Sequence, residues 1–174
     1  QQLKFVDSRT WNFRGREELL HEIEHAVAKN LKTPGSGCVM VVGEPGSGKS
    51  ALLAQLHNRL LRPEEQSAIR IPQSEILLVP RFIGASARST NPTQLLEDFC
   101  GILKQRFAIE DEIPADPIKL ETAFAEFLGK ANKPVIILLD AINQLQKTGD
   151  ARTMRWLPRT LPQNVCIVTS AVEG

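Results

Sequence analysis

The run Gly43-Glu44-Pro45-Gly46-Ser47-Gly48-Lys49-Ser50 fits G-x-x-x-x-G-K-[ST], and each fixed residue answers a separate demand of a bound triphosphate. Gly43, Gly46 and Gly48 let the backbone curl until its N–H groups converge on phosphate oxygens. Lys49 brings a full positive charge to the β- and γ-phosphates, and the Ser50 hydroxyl suits Mg²⁺. We assign nucleotide contact to the whole run from Gly43 through Ala51. A second candidate is Asp140, which closes the apolar run Val135-Ile136-Ile137-Leu138-Leu139. An aspartate at the end of a buried strand can hold Mg²⁺, usually through water, as a Walker B acid. Beyond it stand two amides, Asn143 and Gln144, which can hold a water but cannot take its proton. A glutamine is enough to orient the attacking water in some GTP hydrolases. Lys49, Asp140, Asn143 and Gln144 therefore form the candidate catalytic set, and Ser50 and Asp140 the metal pair. These residues argue more firmly for holding a nucleotide than for hydrolysing it.

Such groups need elements to position them. Val39 to Val42 reads as a short buried strand and Lys49 to Leu61 as a helix, with Leu52, Leu53, Leu56 and Leu60 on one face and a stop at Arg62-Pro63. Strand, glycine loop and helix N-terminus in that order bind phosphate, since the helix dipole favours an anion. Upstream, Arg14 to Lys29 reads as an amphipathic helix with Leu19, Leu20, Ile23 and Val27 inward. Ile76 to Gly84 is a second strand; Asn91-Pro92-Thr93-Gln94 caps a helix that runs to Phe107. Asp116-Pro117 starts another helix, ending at Gly129; Val135 to Leu139 is the third strand, and a short helix around 151–157 precedes the fourth, Val165 to Thr169. Strands alternating with helices imply a parallel sheet covered on both faces, an α/β fold with ligands beyond the carboxyl ends of the strands.

Composition narrows the rest. The chain has 174 residues, 42% hydrophobic and 24% charged, with net charge +1, the profile of an ordinary globular domain. That charge, with no basic stripe, gives no direct nucleic-acid signal, and no apolar run is long enough to span a bilayer. Cys38, Cys100 and Cys166 are isolated in apolar surroundings, which points to reduced buried thiols and a cytoplasmic setting. His21-Glu22-Ile23-Glu24-His25 fits H-E-x-x-H, but zinc requires a third protein ligand and the other histidine, His57, sits on the phosphate-loop helix. We read that stretch as a polar helix face. Ser86, Ser89 and Thr90 form a hydroxyl cluster suited to phosphate contact or capping, and Arg152 and Arg155 to acting on a neighbour's nucleotide or to facing solvent. Trp11 and Phe13 either pack near the base or anchor the first helix. No Asn-Lys-x-Asp guanine reader occurs.

Five segments together resemble the NACHT-type STAND class of P-loop NTPases, notably the domains of telomerase protein component 1, nephrocystin-3 and NACHT–WD-repeat proteins. Phe13-Arg14-Gly15-Arg16-Glu17 matches an "hhGRE" motif, and Gly43 to Ser50 is the phosphate loop. Arg81-Phe82-Ile83-Gly84-Ala85-Ser86 with Ser89-Thr90-Asn91 resembles "hFhGAS…ST". Leu139-Asp140-Ala141-Ile142-Asn143-Gln144-Leu145 resembles "hDALDQL", and Trp156-Leu157-Pro158…Leu161-Pro162…Val165 resembles "WLPxxLPxxV". The resemblance implies a three-layer α/β/α P-loop fold with ATP/ADP and Mg²⁺ as cofactors, truncated after the fourth core strand. It implies that Phe13, Arg14, Gly15 and Arg16 line the adenine side. The domain would comprise an opening segment and helix over 5–30 and a core over 38–174, with a winged helix, a repeat region and nucleotide-dependent homo-oligomerisation as its partners in a longer protein. Gln1 and Gly174 both look like cut ends. Two departures stand out: Asn143 replaces the second aspartate of the motif, and Thr169-Ser170-Ala171 offers hydroxyls where many members carry an arginine. By the class's strand order, the first strand should stand at an open edge.

Overall fold

A computed structural model describes residues 15–62, 69, 71–72, 75–84, 90–145 and 156–173. Its centre is a pair of strands with no solvent face. β3 (Val135–Asp140) is buried at every residue, and β4 (Val165–Val172) through Ser170. Continuous apolar runs of this kind suit a parallel sheet covered on both sides. β1 (Val39–Gly43) pairs with β4 and β2 (Leu77–Phe82) with β3, all parallel, in the order β1-β4-β3-β2.

Side chains alternate across a strand, and each face takes its own helices. Ile136, Leu138, Cys166 and Val168 pack with Leu20, Ile23 and Val27 of α1 (Glu17–Lys32) and Leu52 and Leu56 of α2 (Lys49–Leu61). Val135, Ile137, Leu139, Val165 and Ile167 face Leu95, Leu96 and Phe99 of α3 (Pro92–Phe107) and Phe124 and Phe127 of α4 (Pro117–Gly129). The result is the three-layer α/β/α arrangement expected. Caps explain where α3 and α4 begin. Asn91 accepts from Thr93 N at 2.9 Å and Gln94 N at 3.3 Å, Asp116 accepts from Lys119 N at 2.9 Å, and a proline follows each cap.

The first helix differs from its sequence reading. It runs from Glu17 to Lys32 rather than from Arg14 to Lys29, and its buried stripe is Leu20, Ile23, Glu24, Val27 and Leu31. Leu19, expected inward, is exposed. Glu24 is not on a polar face but fully buried. Burying a carboxylate requires pairing, and Arg59 of α2 supplies it: Nη1 lies 3.3 Å from Glu24 Oε2 while Nη2 holds Glu17 Oε2 at 2.7 Å. One guanidinium thereby fastens α1 to the phosphate-loop helix. β2 is shorter than expected, with Ile83 and Gly84 in a turn, whereas β4 extends to Val172. Of the short helix expected around 151–157, residues 151–155 lie outside the described residues; Trp156 and Leu157 are buried.

All three cysteines are free, and burial pushes the Cys100 thiol up to about 11 and the Cys166 thiol up to about 12. Thiols held this high are poor nucleophiles at neutral pH.

Among the described residues β1 pairs only with β4, so it forms an edge, and Met40 and Val42 on it are each 51% exposed. Apolar edge strands template pairing with other chains.

Candidate functional site

The glycine loop joins the carboxyl end of β1 to the first residue of α2. Gly46 and Gly48 both take the left-handed conformation, with φ of 77° and 81°, and Gly48 is the N-cap of α2. A side chain there would be strained. Ser47 N donates to Glu44 O at 3.2 Å, closing the turn, and Leu52 N donates to Gly48 O at 3.0 Å, the first helical bond. The N–H groups of Lys49, Ser50 and Ala51 precede that bond and have no helical acceptor of their own. Lys49 Nζ donates to Gly43 O and Glu44 O at 2.7 Å each and to Ser47 Oγ at 3.2 Å. Its ammonium is thus centred within the loop. A Cβ on Gly43 would approach Ser47 Oγ to 3.1 Å, so the serine hydroxyl would have to shift by a few tenths of an ångström. Ser50 and Ala51 are half-buried, and Glu44, Pro45 and Gly46 are exposed.

Strand alternation decides which face Asp140 serves. Asp140 shares parity with Ile136 and Leu138, so it belongs to the α1/α2 face, and it is 2% exposed. Only β4 separates β3 from β1, so the two strands lie about 10 Å apart. The carboxylate and the α2 N-terminus therefore share one face at one end of the sheet. Ser170, in register with Val41 of β1, has the same parity and fixes the acid. Its Oγ donates to Asp140 Oδ1 at 2.5 Å and accepts from Ala141 N at 2.8 Å. Ala141 has φ 58°, a left-handed turn for a non-glycine residue, directly after the acid. Thr169 faces the other way; its Oγ1 is buried with no hydrogen-bond partner among the described residues. A hydroxyl on Ser50 and oxygens on Asp140 are the hard donors that Mg²⁺ takes.

The remaining expected residues are not all gathered here. Asn143 and Gln144 lie on a 3₁₀ turn (Ile142–Gln144) and are exposed. Gln144 reaches sideways to Gly84, whose φ is 87°; a Cβ on Gly84 would overlap Gln144 Oε1. That amide stands at the end of β2, with β3 and β4 between it and the loop strand. Gly15 is exposed with φ 80°. Arg16 lies against the loop itself: a Cβ on Gly48 would be 3.2 Å from Arg16 Nη1 and 3.5 Å from its Cζ. Trp11, Phe13, Arg14, Ser86, Ser89, Arg152 and Arg155 lie outside the described residues. Thr90 directly precedes the Asn91 cap. In the H-E-x-x-H stretch His25 Nδ1 is 2.8 Å from His21 O, and no group of three metal-binding side chains occurs among the described residues. No described helix is long and apolar enough to cross a membrane.

Ser170 was not singled out as the partner of Asp140. A signal did exist, because counting two residues at a time from Cys166 and Val168 puts it on the face that Asp140 shares.

Comparison with known proteins agrees with this geometry. The AAA ATPase domain model matches residues 12–168. The mouse (Mus musculus) NACHT and WD repeat domain-containing protein 2 is 28% identical over 155 residues, 87% of this chain and 9% of that protein. Mouse nephrocystin-3 is 29% identical over 140 residues, 76% of this chain and 10% of that protein. The chain thus spans about a tenth of the length of these relatives. The structure of the Aeropyrum pernix Orc1 protein in complex with DNA superposes with a TM-score of 0.57 at 17% identity, covering 99% of this chain and 43% of that one. At that identity the likeness is one of fold.

Ser170→Ala is expected to lower the unfolding free energy by about 1–3 kcal/mol, because the half-buried Ala141 N–H and the buried Asp140 carboxylate both lose a partner. Urea denaturation measures this. A variant as stable as the parent would mean that Asp140 is held by other groups.

Proposed function

The chain belongs to the AAA ATPase domain family, and from that premise we propose that it is an ATP/ADP-binding, Mg²⁺-dependent switch module with slow or conditional hydrolysis. It would serve as the NACHT/STAND nucleotide-binding domain of a larger cytoplasmic protein. The observation that carries this reading is the convergence of the Lys49 loop and the Ser170-held Asp140 on one face of the sheet. Backbone N–H groups of the loop and of the α2 N-terminus bind the β-phosphate, and Lys49 neutralises the β- and γ-phosphates. Ser50 and Asp140 would hold Mg²⁺, which would offset the negative charge of the phosphates. The resemblance assigns the base side to the segment from Phe13 to Arg16.

The proposed slow turnover rests on the residues that follow Asp140 in the chain. Asn143 cannot accept the proton of an attacking water, and Gln144 is turned to Gly84. A second reading is therefore a nucleotide-stabilised scaffold that binds and never hydrolyses. In either case exchange of ADP for ATP acts only through contacts that differ between the two states. Those contacts would be made with winged-helix and repeat regions and with further copies in a nucleotide-dependent homo-oligomer. The WD repeats in the name of one relative agree with such a setting.

Lys49→Ala is expected to weaken ATP binding by roughly 100-fold or more in calorimetric titration, the scale of losing a charge-assisted contact within a closed loop. Unchanged affinity would sink the site assignment. Asn143→Asp is expected to raise steady-state phosphate release above that of the parent. A parent with no release, restored by aspartate, selects the scaffold reading; equal rates remove Asn143 as the cause of slow turnover.

A further inference from the structure

We propose that Arg16 is a second phosphate-binding cation of the loop rather than a base-side residue; this deepens the nucleotide-binding reading and rests on it. Gly48 is the N-cap of α2 in the left-handed conformation, and the Arg16 guanidinium covers it. A Cβ placed on Gly48 would lie 3.2, 3.5 and 3.7 Å from Arg16 Nη1, Cζ and Nη2. The fork as a whole, and not one stray nitrogen, sits over the loop. Gly48 is constrained by its φ, and the cation above it is the movable end of a long side chain.

The backbone of Arg16 is set by α1. It is the N-cap residue of that helix, its carbonyl accepts from Leu20 N at 3.0 Å, and Leu20 is fully buried. α1 is in turn fastened to α2 through Glu24, Glu17 and Arg59. The guanidinium thus starts from an anchored position, and its approach to the loop is a property of the helix pair.

Charge then argues for an anion. Of the carboxylates near this corner, Glu17 and Glu24 are paired with Arg59 and Glu44 of the loop is exposed, and none of the described ion pairs includes Arg16. Lys49 Nζ bonds to neutral acceptors in the same loop. Two half-buried cations beside a helix N-terminus repel one another, and all three features favour the same partner. A phosphate chain satisfies them together. Guanidinium suits it, since a planar fork can bond two phosphate oxygens at once.

The test separates phosphate from base by using ligands that contain only one of them. Displacement of a fluorescent ATP analogue is measured with ATP and with inorganic tripolyphosphate, for the parent, Arg16→Gln and Arg16→Lys. Arg16→Gln is expected to lose affinity for ATP and for tripolyphosphate by the same factor, roughly 10- to 100-fold, the scale of hydrogen bonds to a charged group. Arg16→Lys, which keeps a cation without the fork, is expected to fall between the two. Loss of ATP affinity with unchanged tripolyphosphate affinity returns Arg16 to the base side and overturns the proposal, as does no loss of either. A parent that binds neither ligand overturns the nucleotide-binding reading itself. Thermal melting without ligand shows whether each variant is folded, and Arg16→Lys keeps the comparison open should Arg16→Gln unfold.

Discussion

The two-residue alternation of the central strands β3 and β4 is the constraint on which the rest of the structure depends. Both strands are buried on both faces, so every residue is assigned to one helix layer or the other. Ile136 and Leu138 face α1 and α2, and the next residue of that parity is Asp140. A slip of one residue would turn the acid toward α3 and α4, where it would meet an apolar layer and no phosphate loop. The position of the carboxylate proposed to hold a metal is therefore set by hydrophobic packing several residues away from it. Ser170 follows from the same parity on the neighbouring strand.

Buried charge is handled in an economical way. Fully burying Glu24 would cost several kcal/mol without a partner. Arg59 supplies that partner and also reaches Glu17, so one side chain of α2 ties down the beginning of α1. The tie carries over to the site, because Arg16 stands one residue before α1 and overhangs Gly48. Helix packing, ion pairing and the surroundings of the loop are one connected arrangement. The loop's own geometry is independent of this. It rests on the left-handed φ of Gly46 and Gly48 and on the three bonds from Lys49 Nζ.

Legibility in the sequence followed the range of the interactions. The phosphate loop, the caps at Asn91 and Asp116 and the four strands were readable because a few adjacent residues decide each one. The error at α1 came from a tertiary pairing. Periodicity alone read Glu24 as polar and therefore outward, whereas Arg59, 35 positions away, makes its burial acceptable. Leu19 was misplaced for the same reason, since the stripe 20, 23, 24, 27, 31 excludes it. Gln144 was read as facing a water near Asp140; its bond-rotating side chain instead lies along Gly84, which only the β2–β3 pairing brings alongside.

The sequence by itself determined that a phosphate-binding loop exists, that strands and helices alternate, and that an acid ends the third strand. Glycine spacing, caps and apolar runs are local properties, and local sterics suffice to read them. Only the tertiary structure decided that Asp140 is held by Ser170, that Gln144 is turned aside, and that Arg16 covers the loop. Those facts depend on strand order, face parity and the pairing of charges far apart in the chain. No single segment carries that information, because it resides in which surfaces are buried together.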